Sequence, residues 1–420
     1  MDLIFAEATP SGRGGVSVIR ISGEGARQLA ESLAGPMEFP RQAYLRDLRD
    51  GTETLDSALV MWFSSGASFT GEEVAELHLH GAPVIIRRVG RYLAASGARQ
   101  AEAGEFTRRA FLNGRMDLAE VEGLGDLLEA ETESQRKLAL RLASGDLGRT
   151  AESWRSLLIR AGALVESSVD FADEEVPEEV PGEVYALLTQ LAEEIDQEIA
   201  GYSAAERIRG GFEIAVIGPP NAGKSSLINR IARREVALVS DIAGTTRDII
   251  ELRIDLKGLA VTFLDTAGLR ESTDQIEMMG VERAKTRASA ADLRLHVSPE
   301  AEADPDLWVA EDLIVRTKAD LGDGEGLAIS NISGAGIDRL LDAIHERLAD
   351  RIAGAGLISH ERQLTALVDA RQRLDDLRHL PPEILAESIR GCASSLDRLL
   401  GRIGAEDYLD VIFSSFCIGK

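Results

Sequence analysis

The chain has little cysteine, a deficit of positive charge and no long apolar run. Cys392 and Cys417 are the only cysteines in 420 residues. That excludes a disulfide scaffold and gives no zinc-finger or iron–sulfur spacing, so a reducing compartment is expected. Lys and Arg number 46 against 71 Asp and Glu, a formal net charge of −25. This argues against a histone-like or polybasic nucleic-acid binder and leaves room only for local basic patches. No apolar stretch approaches the ~18 residues of a membrane span. The opening MDLIFAEATPSGRGG lacks the basic start and apolar core of a signal peptide. A cytoplasmic protein without a membrane partner is expected. What is present has an ordinary globular composition, with 44% hydrophobic and 28% charged residues, which excludes whole-chain disorder. At ~100–200 residues per domain the length suggests two to four domains.

Composition shifts along the chain. In 1–117, VSVIRI (16–21), LDSALVMWF (55–63) and VAELHLH (74–80) read as strands, and 82–97 as a helix closed by Gly97. This reads as a compact α+β domain. Residues 118–210 read as helical, with Leu118, Val121, Leu124, Leu128 and Leu138 near one stripe. Between 161 and 206 there are 13 acidic and no basic side chains. A solvated helical face with an acidic loop, or a partner-docking surface, would account for them. From 211 to 352 strands alternate with helices, the rhythm of a parallel sheet. The chain is helical again over 353–420, which suggests an α/β domain inserted into a helical one. The expected fold class is therefore multidomain, α/β and α+β.

The segment Gly218-Pro219-Pro220-Asn221-Ala222-Gly223-Lys224-Ser225 fits GxxxxGK[ST]. It follows the buried-strand pattern GFEIAVI, and Ser225 and Ser226 open a helix. Glycines let backbone N–H groups turn toward phosphate, and the helix N-terminus adds partial positive charge. Lys224 is expected at the β/γ phosphates and the Ser225 hydroxyl on Mg²⁺. Asp265-Thr266-Ala267-Gly268 follows a second strand, placing a carboxylate for the Mg²⁺ shell and an N–H for the γ-phosphate. Thr317-Lys318-Ala319-Asp320 follows a third strand. A carboxylate at Asp320 can accept both N1–H and N2–H of guanine, a pair adenine does not offer. Ser330-Asn331-Ile332 then falls where a last base-contacting loop belongs.

In this order the motifs resemble GTPases, in which the base-reading motif usually begins with Asn; here it is Thr317. A hydroxyl cannot make both bonds of an amide. The residue after Gly268 is Leu269, where Ras-like enzymes orient water with Gln. The loop Ser240-Asp241-Ile242-Ala243-Gly244-Thr245-Thr246 could instead hold a monovalent cation with Asn221, with Thr246 sensing Mg²⁺. A flexible connector is the alternative reading of that loop.

GPPNAGKSSLINR, SDIAGTTRD and DTAGLRE look like the bacterial tRNA-modification GTPases of the MnmE (TrmE) family. So do ATPSGRGGVSVIRISG (8–23), SFTGEEVAELHLHGAP (68–83), GEFTRRAFLNGRMDLAEVEGLGDLLEAET (104–132) and the final Phe416-Cys417-Ile418-Gly419-Lys420. The resemblance covers nearly the whole chain. It implies four segments: a folate-binding, dimerising domain over 1–117 and a first helical segment over 118–210. An inserted Ras-like GTPase domain follows over 211–352, and a second helical segment with the Cys-Ile-Gly-Lys tail over 353–420. It implies K⁺ at Asn221, Ser240, Ile242 and Thr245, Mg²⁺ at Ser225 and Thr246, and water orientation by Glu277. Glu282, one turn further on, leaves an exposed helix-start acid as the other reading of Glu277.

The resemblance also implies 5-formyl- or methylene-tetrahydrofolate at Arg20, Glu76, Arg115 and Lys420. The family usually has Lys where Arg115 stands. Cys417 is read either as a reactive thiol or as packing. The expected partners are a second copy of the chain, tRNA, and an FAD- and NADH-using subunit of the MnmG/GidA type in a heterotetramer. The expected activity is K⁺-stimulated GTP hydrolysis during C5 modification of the wobble uridine, U34. Arg87, Arg88, Arg91, Arg108 and Arg109 are candidate tRNA contacts. A ribosome-assembly GTPase and a folate-dependent one-carbon transferase remain as alternatives. His78 and His80 share a strand face without an evident third metal ligand, and Cys392 reads as core.

Overall fold

The structure, a computed structural model, describes residues 2–170, 180–234, 251–265, 285–321, 326–403, 409, 412–414, 416 and 419. It divides into two compact units. One comprises Met1–Gly125, Ala143–Arg155 and Arg390–Lys420; the other comprises Asp126–Leu142 and Ser156–Ile389.

The first unit is built on a six-stranded sheet of β1 (Ile4–Glu7), β2 (Ser17–Ser22), β3 (Tyr44–Asp50), β4 (Glu53–Phe63), β5 (Val74–Leu79) and β6 (Arg99–Gln100). The strand order is β3-β4-β5-β2-β1-β6. In β2 and β5, buried and less buried residues alternate at period two. Ile19, Ile21, Leu77 and Leu79 therefore enter the core, packed with Leu29 and Leu33 of α1 (Ala26–Ala34) and Val89 and Leu93 of α2 (Pro83–Ala95). Arg20 and Glu76 stand opposite each other on the other face, because β2 and β5 pair antiparallel with those two residues in register. Part of that second face is covered by α3 (Glu105–Leu112), whose Phe106 packs on Ile4 and Ala6. The tail residues Leu409, Phe413 and Phe416 close a further cluster on Leu118 and Val121 of α4 (Leu118–Glu129).

The residues placed on one stripe, Leu118 to Leu138, fall on two helices, α4 and α5 (Glu133–Ala143). The break is chemical. Thr132 and Gln135 form a reciprocal cap: the Gln135 Oε1 accepts the Thr132 N–H at 3.1 Å, and the Thr132 hydroxyl accepts the Gln135 N–H at 3.5 Å. Leu128, placed on the stripe by spacing, is 47% exposed. The long helices α6 (Asp146–Asp170) and α7 (Gly182–Gly210) carry most of the described part of the acidic block. The acidic loop DEEVPEE lies outside the described residues.

The second unit holds another six-stranded sheet: β7 (Phe212–Ile217), β8 (Glu251–Leu256), β9 (Leu259–Asp265), β10 (Leu293–Ser298), β11 (Leu313–Arg316) and β12 (Leu327–Ala328). Its order is β12-β11-β10-β7-β9-β8, parallel except for β8. β8 and β9 are joined by a two-residue turn in which Lys257 and Gly258 both take positive φ, 52° and 93°, the twist a tight hairpin needs. Helices α8 (Lys224–Ala232) and α9 (Ile337–Arg351) contribute Leu227, Ile231, Leu340 and Ile344 to the core on this sheet. Helices α10 (Glu361–Gln372) and α11 (Pro382–Leu399) follow, and Cys392 is buried in α11.

Where the chain enters and leaves the α/β region, α7 meets the segment after α9. The Gly356 N–H donates to the Gly201 carbonyl at 3.2 Å, the Leu357 N–H to Glu198 at 2.7 Å, and the Arg209 Nε–H to the Ser359 carbonyl at 3.0 Å. A Cβ on Gly201 would overlap the Gly356 backbone.

Candidate nucleotide site and a second polar pocket

β7 lies between β9 and β10, both parallel to it. The strand order reverses there, so the loop leaving β7 opens into the crevice at the carboxyl ends of the strands. The loop is held close. Gly218 has φ 155°, and a Cβ on it would overlap the Val297 carbonyl oxygen. Asn221 is exposed and left-handed at φ 62°, and Gly223, φ 97°, caps α8. Lys224 is the first residue of α8. Its side chain is buried, and Nζ donates to the carbonyls of Gly218 at 2.7 Å and Pro219 at 3.1 Å. Burial pulls this ammonium below the ordinary lysine range, against the attraction of Asp265. Ala222 is buried, Ser225 half-buried and Ser226 exposed. Asp265 ends β9 opposite Val216 and is buried.

The residues expected to read the base form a second cluster. The Thr317 N–H donates to the Ser298 carbonyl at 3.0 Å, and its hydroxyl is buried with no hydrogen-bond partner among the described residues. Lys318 is left-handed at φ 57°, and the Ala319 N–H donates to the Ile329 carbonyl at 3.0 Å. The Ser330 hydroxyl and the Asp320 backbone N–H hold the exposed Asp320 carboxyl below its ordinary range. Asn331 reaches across: its Nδ2 donates to the Gly223 carbonyl at 3.0 Å. Ile332 is 82% exposed. The structure thus brings together Asn221–Ser226 with Asn331, and Thr317–Asp320 with Ser330. Ser240, Asp241, Ile242, Ala243, Gly244, Thr245, Thr246, Thr266, Ala267, Gly268 and Glu277 lie outside the described residues, as do Cys417 and Lys420.

In the first unit, the Arg20 Nε–H donates to Glu76 at 3.0 Å, and the guanidinium lies 5.4 Å from the Phe69 ring centroid and 5.8 Å from that of Phe106. Arg115 is exposed, and its Cγ and Cδ lie against Gly71, two residues beyond Phe69. Gly419 lies on the Glu7 and Ala8 backbone, at the end of β1. In this strand Ala6 pairs with Arg20. His78 contacts Glu76 at 3.3 Å, and His80 contacts Asp56 at 2.7 Å, so each is matched to a different carboxylate.

The basic patch is smaller than the sequence suggests. Arg109 is buried and held by Asp2, Glu72 and Glu105; Arg88 pairs with Asp50 and Glu53. Arg87, Arg91 and Arg108 are exposed.

Residues 3–115 match the family described as GTP-binding protein TrmE N-terminus, and residues 118–417 the one described as MnmE helical domain. A protein named tRNA modification GTPase MnmE from Paracoccus denitrificans (strain Pd 1222) is 62% identical over 420 residues, covering 100% of both chains. The chain belongs to the MnmE family. Relatives of the same name from Cereibacter sphaeroides (strain ATCC 17029 / ATH 2.4.9) and Acidiphilium cryptum (strain JF-5) are 50% and 47% identical over 428 and 435 residues, covering 100% of this chain and 100% and 99% of theirs. The match spans the whole chain, the segment 218–225 and the Arg20–Glu76 pair included.

Proposed function

We propose that this chain hydrolyses GTP at the loop 218–225 and, with a flavin-using partner subunit, couples turnover to modification of tRNA at C5 of the wobble uridine. The observation that carries the reading is Lys224. It is a desolvated ammonium at the first position of α8, satisfied among the described residues by carbonyls of the glycine loop it would share with phosphate. Phosphate oxygens offer it stronger, charge-assisted partners, and the N-terminus of α8 favours the same charge. Bound Mg²⁺ would neutralise charge developing on the transferred phosphoryl group. Ser225, beside Lys224, and the buried Asp265 across the loop suit its coordination shell, with Thr246 completing it.

Leu269 offers no amide to a water. K⁺ at Asn221, Ser240, Ile242 and Thr245 would supply the missing positive charge, and Glu277 would orient the water. Asp320, kept ionised by Ser330, would accept both guanine N–H groups.

A folate one-carbon carrier suits Arg20, Glu76, Arg115 and Lys420. A pterin edge can donate to Glu76, an aromatic face can stack near Phe69, and a glutamate tail suits the cations. The proposed organisation is a folate-binding, dimerising domain over 1–117, helical segments over 118–210 and 353–420, and an inserted GTPase domain over 211–352.

Deleting the gene and analysing tRNA nucleosides tests the reading. Loss of the C5 wobble modification, restored by the wild-type gene but not by Lys224→Ala, is expected. GTP turnover should be faster in K⁺ than in Na⁺. Intact tRNA in the deletion strain would overturn the tRNA role, and equal rates in the two salts would overturn the cation loop.

A further inference from the structure

We infer that Asn331 is the positioning residue that supplies, from the last base loop, the amide missing at position 317; the inference rests on guanine-nucleotide binding at this site. A nucleotide spans the phosphate loop and the base loop as one molecule, so the two loops must be held at a fixed separation. Thr317 does not do this. Its backbone N–H is committed to Ser298, and its buried hydroxyl has no partner among the described residues. Asn331 does. Its Nδ2 donates at 3.0 Å to the carbonyl of Gly223, the residue before Lys224. The fit depends on Gly223, since a Cβ there would stand 2.9 Å from that nitrogen. A second strut runs from Arg230 of α8, whose guanidinium donates to the Ser333 carbonyl at 3.1 Å. The segment Ser330–Ser333 is therefore fastened to α8 at its start and near its end. Next to Asn331, Ser330 orients the Asp320 carboxylate.

The amide has a second group in play. Asn331 Oδ1 is buried and has no hydrogen-bond partner among the described residues. Buried polar atoms are rarely left so, because the cost of desolvation is then unrecovered. Guanine N1–H and N2–H are claimed by Asp320, so this acceptor is left for another donor of the bound nucleoside or for a water it orders. Position 331 thus offers a donor and an acceptor on two separate atoms, a spacing that the single oxygen of a hydroxyl at 317 does not provide.

The test is equilibrium titration of the full-length protein with fluorescent GDP and IDP. IDP lacks the 2-amino group, so the GDP-to-IDP preference reports how well Asp320 faces the base. Asn331→Ala is expected to weaken GDP about 5- to 10-fold, the scale of one lost hydrogen bond, and IDP less, shrinking the preference. Thr317→Asn in the Asn331→Ala background is expected to restore both affinity and preference. Asn331→Asp, isosteric but without the N–H donor, should lose the same ratio. Unchanged GDP binding in Asn331→Ala would overturn the inference. So would an equal loss for GDP and IDP that Thr317→Asn does not repair, because a merely structural role predicts that. Failure of the wild-type protein to bind either nucleotide would instead overturn the nucleotide reading beneath it.

Discussion

Asp117 shows how a single buried carboxylate can oppose the fold it helps to cap. It accepts the Glu120 N–H at 2.8 Å while Glu120 accepts the Asp117 N–H at 2.7 Å, a reciprocal start for α4. Burial, reinforced by the Glu120 charge, pushes its carboxyl from 3.8 up to about 6. Between those values the folded chain holds the proton more tightly than the unfolded one, so stability falls as pH rises through that window. At pH 7 the ionised form costs up to about 3 kcal/mol. Asn caps as well as Asp and carries no charge. Asp117→Asn should therefore raise the unfolding midpoint at pH 7, and the gain should vanish below about pH 4; a gain independent of pH would refute this. At this scale the sequence was legible where the chemistry is contiguous. Gly218 to Ser225 announces itself because one strand, one turn and one helix place every group. The Asn331 bond was not legible, since its partner lies 108 residues away and only folding makes them neighbours.

Among the elements, the break between α4 and α5 carries more than local structure. Gln135 accepts the N–H groups of Glu131 and Thr132 at 3.0 and 3.1 Å and donates to the Arg209 carbonyl at 2.9 Å, near the end of α7. Beside it, the Ser134 N–H donates to the Gly258 carbonyl in the β8–β9 turn at 3.3 Å, and Arg253 of β8 pairs with Glu131 at 2.8 Å. Gln135→Ala leaves these buried groups without partners and should destabilise the second unit by about 1–3 kcal/mol, read as a lower denaturation midpoint; a change within about 0.5 kcal/mol, as at an ordinary surface site, would argue against this role. The sequence carried the signal, Thr-Glu-Ser-Gln, but apolar spacing ran through it and favoured one long helix. Within the α/β sheet, β7, β9, β10 and β11 were legible because apolar runs mark strands buried on both faces, whereas the alternating β8 and the two-residue β12 were not read. β1, at four residues, and β6, at two, are too short to show a period and are defined only by their pairing with neighbours.

For the whole molecule, the tail is the informative region. Phe416 packs with Phe413, Leu409, Leu118 and Val121, and Gly419, φ 102°, lies on the Glu7 backbone where a Cβ would overlap. Gly419 thus lies against the end of the first strand. Removing 416–420 should cost about 3 kcal/mol through the lost Phe alone and abolish binding of a tetrahydrofolate, measured by fluorescence titration; retained folate affinity would dissociate the tail from that pocket. The reading of a glycine-rich α+β zone, helices and a parallel-sheet zone rests on composition and on the period that each class of element imposes. The partners of individual arginines were not, and Arg109 turned from a surface cation into a buried strut.

Gly201 and Gly356 touch backbone to backbone at the two ends of the α/β region. A module whose two ends emerge side by side makes few demands on its host. It could be spliced out and the cut closed with a short spacer, or transplanted between neighbouring helices of another scaffold. Such portability offers a physical reason why one nucleotide engine can be installed in the middle of an unrelated chain without rebuilding either.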